Sequence, residues 1–481
     1  MITPACRSPL APGNDPLSTD KQSSNASAAN SAGPAVGIGL TTGTMLIVAN
    51  MIGVGVFTTT GYMAGALGSP AAILVAWAIG AVAAFCGALA YAELGAALPR
   101  NGGEYQFLSR IYHPAFGFTA GWVSLTVGFA APQALFSMTF GDYLSQLLFE
   151  DPSQVPGWNP PLVFGLILMA ALSVLHCLQI GTGSRTHNLF TLGKVVLIVG
   201  FIVGGLVCGD LSRITAVGEK SALSAIKSPI FAVQLVFVSF SYTGWNTAAY
   251  LAGEFRRPNR DIPWSVLAGT AIVAVLYLGL NVVFLASGPL TDLADAKNKV
   301  AHVAAADLFG SGAGRFVSWM IVIGLISTLS ANIMAGPRVY EAMGRDYPLL
   351  KSLTVRRADG GPVVAILLQA LVAAVMMVTA SFETLLSYVS VTLSLNASMT
   401  VLGVIVLRFR EPNLARPYRT WGYPVTPLLF LVIEGWMIYQ LLRNSLMIAK
   451  ASAGSIVLAG AGTLATGVVL YFLIRPRCQP K

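Results

Sequence analysis

Gly53 and Gly55 stand inside the apolar run Val48-Ala-Asn-Met-Ile-Gly-Val-Gly-Val-Phe57. A second apolar run, Phe237-Val-Ser-Phe-Ser-Tyr-Thr-Gly-Trp-Asn246, is interrupted by Ser239, Ser241, Thr243 and Gly244. Glycine loosens a helix interior, and small hydroxyl side chains bond to nearby backbone in place of the helical ladder. A helix broken at each site leaves main-chain groups without helical partners. At the first break the amides of Gly53, Val54 and Gly55 begin a new half-helix, whose positive dipole end attracts a carboxylate. At the second, carbonyls near Phe240, Ser241 and Thr243, joined by that of Ile52, offer acceptors to an ammonium group. The two together suit a zwitterion, an α-amino acid. The competing reading is that the glycines only let helices pack closely; the matching interruption in the second run argues against it.

These breaks need a frame, and composition supplies it. The chain has 481 residues, 55% hydrophobic and 10% charged, with mean hydropathy +0.70. Soluble domains carry about 25% charged residues. The deficit predicts an all-α integral membrane protein, since a spanning helix needs ~20 apolar residues. Candidate spans run over 40–62, 70–98, 115–149, 161–180, 189–208, 230–253, 264–287, 301–335, 363–379, 384–407, 425–442 and 455–474. The third and eighth are long enough to require tilt or extension beyond the bilayer. In lipid, irregular backbone is tolerated only where it faces protein or a cavity, so breaks inside spans 1 and 6 mark a binding site. Their positions suit two halves of opposite orientation: 38–208 (spans 1–5) and 229–407 (spans 6–10), followed by an accessory pair at 424–474. Residues 1–37, rich in Ser, Ala, Asn, Pro and Gly, read as a disordered tail without the basic start and apolar core of a signal peptide.

The net charge of +9 does not point to nucleic acid, because the Lys and Arg residues cluster in alternate loops. Arg256, Arg257 and Arg260, Arg338, Arg345, Lys351, Arg356 and Arg357, and Arg408, Arg410, Arg416 and Arg419 all fall on one side if the amino terminus is cytoplasmic. That is the positive-inside pattern of a multi-pass protein of the cell membrane with both termini in the cytoplasm. Cys6, Cys86, Cys177, Cys208 and Cys478 lack metal-ligand spacing and form no disulfide framework. No metal or cofactor is expected.

At these motifs the chain resembles the amino acid–polyamine–organocation superfamily, near its L-type amino acid transporter branch. Ile52-Gly-Val-Gly-Val-Phe57 matches the first-span signature, and Phe240-Ser-Tyr-Thr-Gly-Trp-Asn246 resembles the sixth. Glu254-Phe-Arg-Arg-Pro-Asn-Arg-Asp-Ile-Pro263 and Arg416-Pro-Tyr-Arg-Thr-Trp-Gly-Tyr-Pro-Val-Thr-Pro427 match later segments in the expected order. The resemblance implies a leucine-transporter-like five-plus-five inverted repeat of about 12 helices with helices 1 and 6 broken. It implies that Gly53, Val54 and Gly55 hold the substrate carboxylate, and that the carbonyls of Ile52, Phe240, Ser241 and Thr243 hold its amino group.

Lys194, in Thr191-Leu-Gly-Lys-Val-Val-Leu197, falls inside span 5. A charge there costs at least ~3 kcal/mol on insertion scales, so it either snorkels to the interface or faces the protein interior. The resemblance favours the interior: relatives place a lysine against the first broken helix where sodium-coupled cousins hold a cation, and the Lys194 ammonium is expected to replace sodium and couple to protons. Glu93, Glu104 and Glu254 lie near span ends beside arginines and read as structural or gating ion pairs. Trp245 could cap the substrate and Asn246 bond near it, or both could be packing residues. His176 and His187 lack metal-ligand partners and read as structural.

The flanks of the breaks, 46–57 and 237–250, hold no Asp, Glu, Lys or Arg. An unpaired buried charge is costly, so a neutral L-amino acid is favoured over cationic amino acids or polyamines. Eukaryotic L-type members join a heavy chain through a cysteine in the loop after span 3. Here that loop, around 150–158, has none, so no disulfide-linked partner is expected. The resulting expectation is a secondary transporter, exchanger or proton symporter, with amino acid and membrane lipid as its partners. A receptor that binds without transporting would share the pocket. An embedded enzyme would need a nucleophile with its base, or metal ligands, and neither constellation is present.

Overall fold

The computed structural model describes residues 37–149, 159–178, 184–215, 221–296, 299–357, 361–447 and 451–475, with side chains at 184–187, 444–447 and 451–458 not described. The expected tail at 1–37 lies outside these residues except for Gly37, as does the loop at 150–158. Every long element among the described residues is a helix; the extended backbone pairs only at two isolated bridges, Ile38 with Phe255 and Arg356 with Pro362. The all-α expectation holds. Nine helices among the described residues are long and apolar enough to cross a membrane, and shorter apolar helices at Pro229–Ser241, Val363–Thr379 and Ala459–Ile474 occupy other expected spans.

The first expected span is two helices, α1 (Leu40–Met51) and α2 (Gly55–Leu67). α3 (Pro70–Ala97) and the short α4 (Glu104–Ile111) follow. The third span is continuous but not uniform: α5 (Pro114–Val123), a π-helical stretch (Ser124–Ala130), then α6 (Ala131–Leu148). Pro132 explains the wide turns. It has no N–H to give to the Gly128 carbonyl, and its ring would clash with that carbonyl in a regular α-helix.

α7 (Pro160–Leu178) and α8 (Ser184–Cys208) come next. The sixth span is again broken, into α9 (Pro229–Ser241) and the single turn α10 (Thr247–Tyr250). α11 (Pro258–Ser287) begins six residues before the expected 264. The eighth expected span, 301–335, requires correction. The helix stops at Phe309, and Gly310, at φ +89°, turns the chain. Residues 300–309 form a separate helix, α13, preceded by α12 (Leu290–Ala296). The long helix is α14 (Ser311–Asp346), which runs eleven residues past the expected end. The expected span ran through Asp307, Gly310, Ser311, Gly312, Gly314 and Arg315, a cluster of breaker and polar residues that marks the turn. α15 (Val363–Thr379) coincides with its expected span; α16 (Phe382–Arg410), α17 (Val425–Met447) and α18 (Ala451–Ile474) complete the chain.

α11 packs along α3 and α1, α14 along α6, and α9 against α2, α16 and α17. The two breaks lie in the continuous core: Ile52, Val54, Phe240 and Tyr242 are all buried. α7, α8 and α17 lie at the periphery, and side chains such as Val207, Leu371, Val432 and Leu473 are exposed. An apolar helix with so little buried surface faces lipid rather than water.

Candidate functional site

α1 ends because its ladder is intercepted. The amide of Ile52 still reaches Val48 O at 3.0 Å, but that of Gly53 turns back onto Met51 O at 2.7 Å, and the Tyr277 hydroxyl donates to the same oxygen at 2.5 Å. The next carbonyl, Ile52 O, accepts from the Lys194 ammonium at 2.8 Å and from the Thr328 hydroxyl at 3.0 Å. Helix α2 then starts at Gly55, and the amides of Val54 and Gly55 make no backbone hydrogen bond among the described residues.

At the second break the Phe240 carbonyl accepts from both the amide (2.9 Å) and the hydroxyl (2.7 Å) of Thr243. The Ser241 hydroxyl returns to Phe237 O at 2.9 Å. Gly244 then turns the chain at φ +111°, and its carbonyl takes the amide and hydroxyl of Thr247. The carbonyls of Ser241, Tyr242 and Thr243 accept no hydrogen bond among the described residues.

The breaks touch each other. A Cβ placed on Gly55 would lie 2.7 Å from Ser241 Cα, and one on Gly244 would lie 3.1 Å from the backbone of Asn50 and Met51. Thr59 and Ser241 share a hydroxyl contact at 3.0 Å, and the Asn50 amide bonds the Thr247 hydroxyl. Beside this crossing a cavity opens, lined by Asn50, by Ser239, Phe240 and Tyr242 to Asn246 but not Ser241, and by Phe129, Phe136 and Asn332 of the third and eighth spans.

Several expected site residues are placed differently. Ile52 and Phe240 were expected to leave their carbonyls for a ligand; both are filled, by Lys194 with Thr328 and by Thr243. Gly53, Val54 and Gly55 are buried and do not line the cavity. Gly53 faces Phe136, and Gly55 is closed against Ser241. Thr243 does line it. Trp245 also lines it, with its ring edge-on to Tyr91 at 4.6 Å. Asn246 turns to Glu104 Oε1 (2.8 Å) and Tyr250 Oη (2.9 Å).

Glu93 pairs with Arg408 at 2.6 Å and takes the Thr420 amide at 2.7 Å, while Glu254 meets Arg338 at 3.2 Å. Glu104 was grouped with them and differs. Among the described residues no arginine pairs with it; it accepts from Tyr91 (2.8 Å) and Asn246, and it borders the cavity. His176 bonds Ser330 at 2.8 Å; the side chain of His187 is outside the described residues.

Three participants escaped the sequence reading. Tyr277 and Thr328 cap the end of α1 from spans 7 and 8, and Glu434 of α17 enters the cavity wall. Thr328 and Tyr277 sit in ordinary apolar runs and left no signal. Glu434 did leave one: a lone acid in the middle of an apolar span is a functional candidate in itself.

A family described as "Amino acid permease" matches residues 38–465. Over 92% of its length the chain is 28% identical to the serine/threonine exchanger SteT of Bacillus subtilis, covering 97% of that protein. It is 29% identical to large neutral amino acids transporter small subunit 2 of Homo sapiens, covering 92% of this chain and 82% of the relative. To the human b(0,+)-type amino acid transporter 1 it is 29% identical over 83% of this chain and 81% of the relative.

Proposed function

The chain belongs to the amino acid permease family, and from that premise we propose that it exchanges neutral L-amino acids across the cell membrane by alternating access. The observation that carries this reading is the pair of half-helix ends in contact. Among the described residues the amides of Val54 and Gly55 and the carbonyls of Ser241 and Thr243 are unbonded, and Gly55 is packed directly on Ser241. Such groups recognise the carboxylate and ammonium common to every α-amino acid and leave the side chain to the cavity.

The contact at Gly55 and Ser241 leaves no room between them for a ligand atom. The carboxylate site at Gly53, Val54 and Gly55 therefore opens when a half-helix moves, and closes again over the substrate. Lys194 holds the end of α1 from α8 and is the coupling residue of this scheme, occupying the place of a cation. Spans 1–5 and 6–10 act as the inverted halves, 38–208 and 229–407, with 424–474 accessory and both termini cytoplasmic. No cysteine stands in 150–158, so a heavy chain linked there by a disulfide is not part of the reading. SteT and the human relatives, named as exchangers or transporters of amino acids, support transport over chemistry.

Radiolabelled amino acid uptake into liposomes bearing the purified chain tests this. Accumulation only with internal amino acid means exchange. A requirement for a pH gradient means proton symport, and binding without uptake means a receptor; either result displaces exchange.

A further inference from the structure

Glu434 is 2% exposed, at the middle of α17, and borders the same cavity as Asn50, Thr243 and Gly244. Its Oε1 accepts from the Ser239 hydroxyl at 3.0 Å, and Ser394 of α16 stands beside the carboxyl. Its Oε2 is buried and has no hydrogen-bond partner among the described residues. Among the described residues, no Lys, Arg or His lines this cavity. Ser239 lies two residues before Ser241, so the carboxyl sits beside the end of the half-helix whose free carbonyls face an amino acid's ammonium.

A buried polar atom without a partner is costly, and a ligand that supplies the missing donor recovers that cost. A site built this way discriminates strongly against an analogue that lacks the hydrogen-bonding group, because the analogue leaves the protein atom unpaired. We propose that Glu434, with Ser239 and Ser394, forms the polar end of the substrate side-chain compartment and selects amino acids whose side chain ends in a hydrogen-bond donor. Hydroxyl and amide side chains present that donor while neutral; an ammonium or guanidinium presents it with charge. This rests on the cavity being the amino acid site, and it deepens that reading by naming the side-chain class. It also corrects the argument from uncharged flanks at 46–57 and 237–250: the cavity takes its acids, Glu434 and Glu104, from other segments.

The test is competition for exchange in liposomes carrying the full chain, with two isosteric or near-isosteric pairs, threonine against valine and glutamine against methionine, and with lysine as the charged donor. The expected result is at least a tenfold preference for threonine and glutamine. Glu434→Met brings both ratios close to one, and Glu434→Gln, which keeps an acceptor oxygen, retains most of the preference. Ser239→Ala lowers the ratios less than Glu434→Met does. Lysine competing better than glutamine, with the advantage lost in Glu434→Met, keeps the proposal and identifies the charged donor as the source. Flat ratios in the unmodified protein, or ratios unchanged in Glu434→Met, overturn it. If Glu434→Met does not fold, the ratios in Ser239→Ala and Glu434→Gln decide. Transport of none of these amino acids removes the cavity reading itself, and the side-chain proposal with it.

Discussion

The Lys194 ammonium donates to the carbonyl oxygen of Ile52 at 2.8 Å, joining residues 142 apart at the point where the first span breaks. Thr328 completes the contact from α14, accepting from Lys194 at 2.8 Å and lying 3.0 Å from the same oxygen. One lysine and one threonine thus hold the end of α1 to the fifth and eighth spans. An interrupted helix in lipid needs such partners, because no water is present to satisfy the freed carbonyl.

Removing Lys194 should therefore uncouple the break from α8. Lys194→Ala leaves Ile52 O with Thr328 alone, and we expect uptake to fall at least tenfold with its dependence on pH changed. Lys194→Arg should rescue poorly, because the planar guanidinium cannot stand in for a compact ammonium bonded to two oxygens. Uptake measured from pH 5 to 8 checks both variants. An unaltered rate and pH profile in Lys194→Ala would remove Lys194 from the cycle.

At the crossing of the half-helices the limiting quantity is space. A Cβ on Gly55 would lie 2.7 Å from Ser241 Cα, a backbone-bound atom that cannot turn aside. Overpacking of this kind costs about 1–3 kcal/mol. Gly55→Ala should lower substrate affinity at least tenfold, and Gly55→Leu should abolish binding while the protein still inserts. Ligand-induced thermal shift in detergent reads the affinity, and size exclusion checks the fold. Wild-type affinity in Gly55→Leu would contradict the assignment.

Much of this was legible in the residues. Gly53 and Gly55 in one apolar run, and Ser239 to Gly244 in another, located both breaks, since residue types that weaken a helix act locally. That Lys194 faces the interior followed from the family resemblance, because the cost of a charge in lipid is met equally well by snorkelling. What could not be read was which freed groups find partners. Ile52 O and Phe240 O are filled, the first by side chains from distant spans and the second by the turn itself. Nothing in the local run distinguishes them from Ser241 O. The stop at Phe309 was legible and missed: Gly310, Ser311, Gly312 and Gly314, bounded by Asp307 and Arg315, interrupt the apolar run there.

Gly244 is constrained by its conformation as well as by its neighbours. At φ +111° an L side chain is strained in any surroundings, and a Cβ would lie 3.1 Å from the Asn50 carbonyl carbon. Strain of this type costs roughly 1–3 kcal/mol. Gly244→Ala should lower both thermal stability and uptake, read by melting curves and initial uptake rates. Equal melting temperatures for Gly244→Ala and the unmodified protein would show that the turn relaxes.

The two acid–arginine pairs should separate by burial. Glu93 is 2% exposed and is held by Arg408 through both carboxylate oxygens, by the Thr420 amide, and by Arg416 at 3.4 Å. Breaking such a pair from one side strands buried charge, at about 3–5 kcal/mol. Glu93→Ala should therefore lower the melting temperature strongly and reduce the amount of folded protein. Glu254 differs, since its side chain is 36% exposed and meets Arg338 at one oxygen. Arg338 is buried at 7% exposure, so the pair is open to water on the Glu254 side only. The Glu254 carbonyl also accepts the Ile38 amide at 2.9 Å, so this pair ties the chain entering α1 to the chain leaving the second break. Glu254→Gln should lower the melting temperature less than Glu93→Ala does but change the exchange rate, because it loosens a contact that must part when the half-helices move. Melting curves and initial exchange rates for both variants decide it. Equal destabilisation by the two substitutions would mean that Glu254 is structural and not part of the moving gate.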